Sequence, residues 1–521
     1  MIFKQTLQGS GIQTFSLIIL FVLGVFSVGA QPRADIDSSF AEDGWLVLPW
    51  AKQNITVNSM LVQPDGKFVV AGRYNVSDVV TSFCLMRMMP DGTPDTDFGD
   101  EGLVITPIDS FFDNGRNVVM DKEGNLYLAG STGMGEVSDW VIVKYLDNGR
   151  LDEGFGNKGM LIGDLEGYDY AIKLAIARDG LIAIVNTTVD ETDFVVIKRD
   201  FTGKPDTDFG DKGSVQIDLG ANDYATDIEI DDAGNIIIGG STAEQFTWNS
   251  FFVRLTSDGA FDKTFSEDGI FIYTISEYGD QLRDIVLYQD GSILACGNAY
   301  DENRDQDFTL VRLNADGTPD TGFGEEGVTI TKVSEGFDAT QNVILFEDGS
   351  ILVCGYAWQE EGDYKLTAYK SDGAIDEDFA SGGLVSLDYN NSDEVPLHMV
   401  LAPDNSIYIL GGFFSQNRSI PLLTKLISGY EVSVSPIRNT GDISVFPNPA
   451  NRTVQIELGQ QNVSSISIRL VDLQGREVAS TNINSVNAVL SYELPAGLNN
   501  GLYQLIVTSE KGIWSTPIIK E

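Results

Sequence analysis

Carboxylates are the side chains through which this sequence could do chemistry. Aspartate and glutamate make up 77 of its 521 residues, whereas it contains one histidine, His398, and three cysteines. A Ser-His-Asp triad, a histidine-rich zinc site or a histidine general base would have to use His398. That residue lies in the apolar run PLHMVLA, which predicts a histidine packed in a core. We assign no catalytic residue and expect a binding protein rather than an enzyme.

An acidic residue recurs just before an apolar strand in most of the chain. If these strands are the innermost strands of a ring, the carboxylates lie near the mouth of a central channel. There they could hold calcium or a cationic ligand. Alternatively, each aspartate caps the backbone amides at the start of its own strand. The six residues are Asp113, Asp169, Asp223, Asp280, Asp338 and Asp393.

Variable loops hold a second group of candidates. Exposed aromatic rings beside carboxylates suit sugar rings or a protein surface, unless the rings fold back over their own strands. The candidate ligand-binding residues are Tyr74, Trp248, Tyr300, Trp358 and Phe413. One loop also holds Asp301, Asp305 and Asp307, which are weak candidates for a calcium site.

A motif that recurs seven times must position all these residues. Its copies read DSSFAEDG, DTDFGDEG, DEGFGNKG, DTDFGDKG, DKTFSEDG, DTGFGEEG and DEDFASGG. The phenylalanines lie 54 to 58 residues apart, at Phe40, Phe98, Phe155, Phe209, Phe265, Phe323 and Phe379. A nearly fixed period of this size is typical of propellers, solenoids and arrays.

Each repeat contains four short apolar runs separated by turn signals, as in residues 57–107. Runs of this length without helical periodicity predict strands, and four strands in seven repeats predict a seven-bladed β-propeller over residues 31–427. In the arrangement we favour, residues 45–49 (WLVLP) are an outer strand that completes the last blade. The alternative starts each blade at the phenylalanine motif and has no such strand exchange.

The repeat resembles a known family. The D-x-x-F-G-x-x-G copies and strands such as DFTLVRL (307–313) are similar to the delta-sixty repeat of bacterial secreted proteins, over residues 36–427. Three copies depart from the pattern after the phenylalanine, at Ala41, Ser266 and Ala380. The resemblance implies a propeller and secretion, and it implies no particular activity.

The start of the chain indicates export. Lys4 precedes an apolar run at residues 15–28, which is too short to span a membrane comfortably. Small residues at 28–30 then offer a cleavage site, so residues 1–30 are predicted to be a secretory signal peptide. No later run is apolar enough for a transmembrane helix.

Residues 444–521 break the repeat pattern. About seven short alternating strands predict a small β-sandwich, which a linker at residues 428–443 joins to the propeller. The runs FPNPA, DLQGREV and GLYQLIVTSEKG resemble the type A sorting domain of the type IX secretion system of Bacteroidetes-type bacteria. The resemblance implies that the secretion machinery recognises this domain, moves a folded periplasmic cargo across the outer membrane and usually removes the domain afterwards.

Charge narrows the choice of partners. Lysine and arginine number 33, so the formal net charge is −44, and the acidic excess lies in residues 31–428. Such a surface repels nucleic acid and anionic membranes and attracts cations or basic partners. The three cysteines, Cys84, Cys296 and Cys354, do not predict a disulfide framework.

Together these features predict a monomeric, secreted or surface-located binding module with a glycan or protein ligand. Calcium is the only cofactor considered, and no nucleic-acid partner is expected. Two alternatives stay open. One is a carboxylate-based carbohydrate-active enzyme, a glycosidase or lyase, and the other is a structural surface component.

Overall fold

The computed structural model describes residues 35–427 and 444–520 apart from short internal segments. Those segments are 78–79, 109–111, 134–136, 166, 189–191, 245–246, 359–361, 381, 416–417, 447–451, 458–462, 472–476, 487–488, 496–500 and 510–511. The predicted signal peptide and linker lie outside the described residues. In the part that is described, no helix has the length and apolar character needed to cross a membrane.

Residues 35–427 form a ring of seven antiparallel sheets, which confirms the predicted seven-bladed propeller. From the innermost strand outward, blade 1 contains Ile55–Val62, Phe68–Asn75, Thr81–Met88 and Leu103–Thr106, and blade 2 contains Asn114–Met120, Leu126–Thr132, Val137–Tyr145 and Met160–Gly163. Blade 3 contains Tyr170–Ile176, Gly180–Thr188, Thr192–Asp200 and Ser214–Ile217, and blade 4 contains Asn222–Ile230, Ile236–Glu244, Thr247–Leu255 and Ile270–Tyr273. Blade 5 contains Asp280–Leu287, Ile293–Tyr300, Gln306–Leu313 and Val328–Thr331, and blade 6 contains Phe337–Leu345, Ile351–Trp358, Gly362–Tyr369 and Leu384–Leu387. A two-residue strand, Gly167–Tyr168, pairs with the third strand of blade 2.

Blade 7 is built from both ends of the propeller. Its inner strands are Glu394–Leu401, Ile407–Ser415 and Arg418–Ile427, and the outer strand is Trp45–Val47, paired with residues 422–424. Asp35–Ile36 extends this pairing, and a short 3₁₀ helix, Ala51–Gln53, leads into blade 1. The predicted strand exchange is therefore confirmed. It removes two free sheet edges with one pairing.

The phenylalanine motif joins each blade to the next. Phe98 is fully buried among side chains of blades 1 and 2. The Arg87 guanidinium lies 4.4 Å from the centre of its ring and donates a 2.8 Å bond to Asp95, the first residue of the motif. Arg87 also donates to the backbone carbonyl of Asp147 in blade 2. Equivalent ion pairs are Lys144–Asp152, Lys198–Asp206, Arg254–Asp262, Arg312–Asp320 and Lys425–Asp37.

The residue after the phenylalanine has a left-handed backbone whether or not it is glycine. Gly99 has a φ of 57°, and a Cβ atom there would lie 2.5 Å from the Leu103 carbonyl oxygen. The three departing residues, Ala41, Ser266 and Ala380, have φ values of 45°, 50° and 47°. The surrounding repeat therefore imposes the turn even where the side chain disfavours it.

Residues 444–520 form two sheets with seven strands, as predicted. One sheet contains Ser444–Phe446, Thr453–Glu457 and Val489–Glu493; the other contains Glu477–Val486, Val463–Val471, Gly501–Ser509 and Gly512–Lys520. Val454 and Ile456 of the first sheet and Ile468 and Leu470 of the second are buried. This alternation is typical of sheets that pack one face in a core.

Candidate ligand site at the channel mouth

Residues of different types, one from each blade, line the central channel. Every innermost strand has a β-bulge near its start, and the residue in the bulge lines a cavity of about 320 Å³ along the propeller axis. From blade 1 to blade 7 these residues are Asn58, Arg116, Ile172, Thr226, Arg283, Gln341 and Leu397. A bulge re-aims a side chain at one point of a regular strand. The repeat thus presents four kinds of side chain in its channel: guanidinium, amide, aliphatic and hydroxyl.

The residue after each bulge fastens neighbouring blades together. At six of the seven junctions its side chain accepts a hydrogen bond from a backbone N–H of the next blade, as Asn117 does from Leu174 at 2.9 Å. The other acceptors are Ser59, Asp227, Asp284, Asn342 and His398. At the remaining junction, Lys173 forms a 2.8 Å ion pair with Asp227.

His398 lies in the channel wall, which corrects the prediction of a core histidine. Its Nδ1 accepts the backbone N–H of Met60 at 3.4 Å and so joins blade 7 to blade 1. Burial lowers its pKa to about 4, so the imidazole is neutral at physiological pH and available as this acceptor. The strand was correctly predicted, but the bulge at Leu397 places the following His398 at the junction with blade 1, where it also borders the cavity.

A charged cluster lies behind one side of the wall. The carboxyl groups of Asp227 and Asp284 share a hydrogen bond, and Lys173 contacts Asp227. Burial and the neighbouring Asp227 charge raise the pKa of Asp284 well above its usual range. Although burial alone would raise it, the Lys173 ammonium holds the pKa of Asp227 low. Lys173 and Asp227 thus form an ion pair, and the low-dielectric surroundings favour the protonated form of Asp284 beside them.

Arginine and aromatic side chains adjoin the channel on the face that carries the variable loops. The Arg116 guanidinium lies 4.6 Å from the ring centre of Tyr170, and Arg73 lies 4.9 Å from that of Phe112. On the next blade, the rings of Tyr224 and Trp248 lie 5.4 Å apart. We call Arg73, Arg116, Tyr170, Tyr224 and Trp248 the arginine–aromatic patch.

The recurring aspartates do not line the channel, contrary to the expected ring at its mouth. Asp113, Asp169, Asp223, Asp280 and Asp338 are fully buried, and each accepts a backbone N–H from the loop that precedes its strand. Asp280 also accepts the N–H of Ser250 in the preceding blade, at 2.7 Å. These contacts agree with the alternative in which the carboxylates cap strand entries.

In blade 7 the equivalent buried position belongs to Glu394, not to Asp393. Asp393 lies one residue earlier and accepts the N–H of Gly362 at 2.9 Å. One Glu394 carboxyl oxygen accepts the Ser392 hydroxyl at 2.6 Å, and the other is buried without a hydrogen-bond partner among the described residues. Burial is the main reason that the pKa of Glu394 is raised to about 7.

We expect Glu394→Gln to remove a pH dependence of stability. A carboxyl whose pKa is higher in the folded than in the unfolded protein contributes stability below about pH 4.5, and that contribution is lost as the pH rises through 7. From pH 5 to pH 8 the variant should therefore lose less free energy of unfolding than the wild type, by on the order of 1 kcal/mol. Denaturant titration at both pH values measures this. The exposed Glu347→Gln variant is the control. Equal changes in the free energy of unfolding between pH 5 and pH 8 for Glu394→Gln and wild type would contradict the raised pKa of Glu394.

The fifth-blade loop does not gather its aspartates into one cluster. Asp301 accepts the backbone N–H groups of Asn303 and Asp305, and Asp305 accepts that of Gln306, so both stabilise their own turn. Burial and the neighbouring Asp338 raise the pKa of Asp307. Among the described residues, two other sets of three carboxylates have oxygens within 4.8 Å of one another: Asp193, Asp218, Asp223 and Asp363, Asp388, Glu394.

The structure places the five candidate aromatic residues on five blades. Trp248 belongs to the arginine–aromatic patch, whereas Trp358 is 42% exposed and packs against Tyr356 of its own blade. Phe413 contacts Tyr389 at 5.0 Å. Tyr74 and Tyr300 are half-buried at the ends of second strands.

Sequence reasoning missed Arg73, Arg116 and Arg283. The available signal was that Arg116 and Arg283 each stand three residues after a recurring aspartate.

Comparisons with known proteins concern both parts of the chain. Residues 444–521 match the secretion system C-terminal sorting domain, and residues 63–98, 234–265 and 289–323 match the beta-propeller domain of unknown function DUF5122. No curated protein matches the chain.

Solved structures similar to the chain include several propellers. A polysaccharide lyase of family PL25, an ulvan lyase bound to -[GlcA(1-4)Rha3S]-, is 11% identical, with 77% of this chain and 96% of the lyase covered and a TM-score of 0.44. The polysaccharide lyase Uly1 is 9% identical, with 75% and 92% covered and a TM-score of 0.44. A glucose dehydrogenase is 10% identical, with 71% and 97% covered and a TM-score of 0.34. The chain is therefore a seven-bladed β-propeller, parts of which match the DUF5122 beta-propeller domain, followed by a domain that matches the secretion system C-terminal sorting domain.

Proposed function

We propose that this chain is an extracellular binding module that recognises its ligand at the channel mouth. One observation carries the proposal: the seven bulge positions of the channel hold an asymmetric mixture of guanidinium, amide, aliphatic and hydroxyl side chains, while the phenylalanine motif and its turns are nearly uniform. Identical copies serve folding, whereas recognition needs one asymmetric set of groups on a rigid scaffold. The arginine–aromatic patch extends this set onto the face of the variable loops.

Export completes the proposal. Residues 1–30 direct the chain to the periplasm, the sorting domain takes the folded propeller across the outer membrane, and cleavage within residues 428–443 leaves the propeller secreted or on the cell surface. The sorting-domain match supports this route. The strong negative charge is compatible with solubility outside the cell.

A carbohydrate-active enzyme is favoured by two carboxyl groups with raised pKa values: Asp284 beside the channel, and Glu394, which offers a carboxyl oxygen within 4.8 Å of oxygens of Asp363 and Asp388. Glycoside hydrolysis, however, uses two carboxyl groups roughly 5–10 Å apart with substrate between them. Asp227 and Asp284 share a hydrogen bond, and each binds a backbone N–H of the next blade. Their arrangement favours a role in holding blades together, so we place the binding module first.

A glycan array probed with residues 31–521 tests the binding module. We expect bound glycans and at least tenfold weaker binding by Trp248→Ala, because an aromatic anchor typically contributes more than about 1 kcal/mol. Trp358→Ala is the matched control, an exposed tryptophan on the same face outside the patch. Selective loss in the control would move the site to blade 6. An array that shows no bound glycan, either with or without calcium, would contradict a glycan ligand and favour the structural alternative.

A further inference from the structure

Three arginines lie in or beside the channel, whose lining side chains include no carboxylate. None of the ion pairs between described residues involves Arg73, Arg116 or Arg283. Arg283 is exposed at the channel, where it donates to Gln281 at 3.2 Å.

Arg73 and Arg116 are held in place but are not satisfied. Each guanidinium lies over an aromatic ring, which fixes its plane and leaves its hydrogen-bonding edge free. The Nε atoms of both arginines are buried and have no hydrogen-bond acceptor among the described residues. Burial and the nearby Arg116 charge lower the pKa of Arg73, so the two cations repel each other. An anion between them would relieve this repulsion and accept these donors.

The charged side chains that line the channel are basic. The side chains that line it include Arg116, Lys173 and Arg283 and no carboxylate. Lys173 forms an ion pair with Asp227, whereas Arg116 and Arg283, which also line the cavity, form none with a described residue. A low-dielectric channel concentrates this potential and selects anions despite the negative outer surface.

The aromatic part of the patch favours a carbohydrate over an acidic peptide. Arg116 stacks on Tyr170. The Asn186 amide donates to the Tyr170 hydroxyl at 3.5 Å and to the Ala225 carbonyl at 3.1 Å, so Tyr170 lies beside the strand of Tyr224. Tyr224 in turn lies against Trp248. A row of rings with one polar edge and one apolar face suits the stacked sugar rings of an extended chain.

We propose that the channel mouth binds an acidic carbohydrate, with carboxylate or sulfate groups held by Arg73, Arg116 and Arg283 and sugar rings stacked on Tyr170, Tyr224 and Trp248. This proposal rests on the binding module proposed above and specifies its ligand class. A guanidinium group can form bidentate contacts with a carboxylate or with a sulfate. These arginines therefore indicate an anionic sugar without distinguishing between the two acidic groups.

Direct titration of residues 31–521 with three oligosaccharides of equal length tests the class: one neutral, one carrying uronate groups only and one carrying sulfate groups only. We expect an acidic oligosaccharide to bind at least tenfold more tightly than the neutral one, and added salt to weaken it. Tighter binding of the uronate oligosaccharide or of the sulfated one identifies which acidic group the site recognises. Equal binding of all three, independent of salt, would overturn the acidic class while leaving the binding module standing.

Variants connect the result to the patch. Arg116→Ala should lose at least tenfold in affinity for the acidic oligosaccharide and little for the neutral one, and Arg116→Lys should keep part of the preference. Arg150→Ala removes an exposed arginine from a turn of the opposite face and should change nothing. Thermal melting verifies that each variant folds. Equal displacement by poly-glutamate would overturn the carbohydrate class, whereas absence of binding to any sugar by the folded protein would overturn the proposed function itself.

Discussion

Deletion of residues 444–521 should abolish delivery of the propeller to the cell exterior and leave the truncated chain in the periplasm. The seven blades close between residues 35 and 427, so the truncated propeller keeps every sheet that it needs to fold. The deleted part is the match to the secretion-system sorting domain. Fractionation and immunoblotting of wild-type and truncated cells measure the distribution. Normal surface delivery of the truncated chain would contradict the assignment.

Two substitutions within the domain separate its fold from its exposed surface. Leu470→Asp places a charge at a fully buried position between strands and should block export as completely as the deletion, because an unpaired buried charge unfolds a small sandwich. Arg452→Ala removes an exposed ion pair with Glu493 and should leave export unchanged. If both variants were exported normally, recognition would not require the folded domain.

The repeat made the architecture predictable. Phe98 and its counterparts fix the period, and the turns and apolar runs between them reveal four strands in each copy. The orphan strand at residues 45–49 and the three-strand remainder at the end of the propeller together favoured the exchange that the structure contains, over a blade phase without it. These are local patterns repeated seven times, and a signal that repeats is read more safely than one that occurs once.

The channel could not be read from the same patterns. Alternation assigns Arg116 and Asn117 to opposite faces, but a bulge directs one into the cavity and the other onto the next blade. Arg73 and Arg116 come from different blades, and only the curvature of the ring brings them together. In blade 7, the buried position equivalent to the recurring aspartates lies one residue later than predicted, at Glu394 instead of Asp393. Single-residue register shifts are invisible to periodicity and decide which groups face a ligand.

Trp45→Ala should destabilise the propeller more than any other single substitution proposed here. Trp45 is only 7% exposed and belongs to the short strand that completes blade 7. Its ring lies 6.1 Å from that of Tyr364 and 5.4 Å from that of Tyr389, so it also packs blade 7 against blade 6. Truncation of a buried tryptophan costs about 3–5 kcal/mol.

Loss of that packing should also weaken closure of the ring, since residues 45–47 are all that covers the outer edge of residues 422–424. An exposed strand edge invites pairing with other chains, so aggregation on heating is expected alongside the lower stability. Guanidinium titration and limited proteolysis measure both effects. Trp358→Ala, at a tryptophan that is 42% exposed, should change stability by no more than about 0.5 kcal/mol. If Trp45→Ala were equally benign, contacts between the innermost strands would have to close the ring without the N-terminal strand.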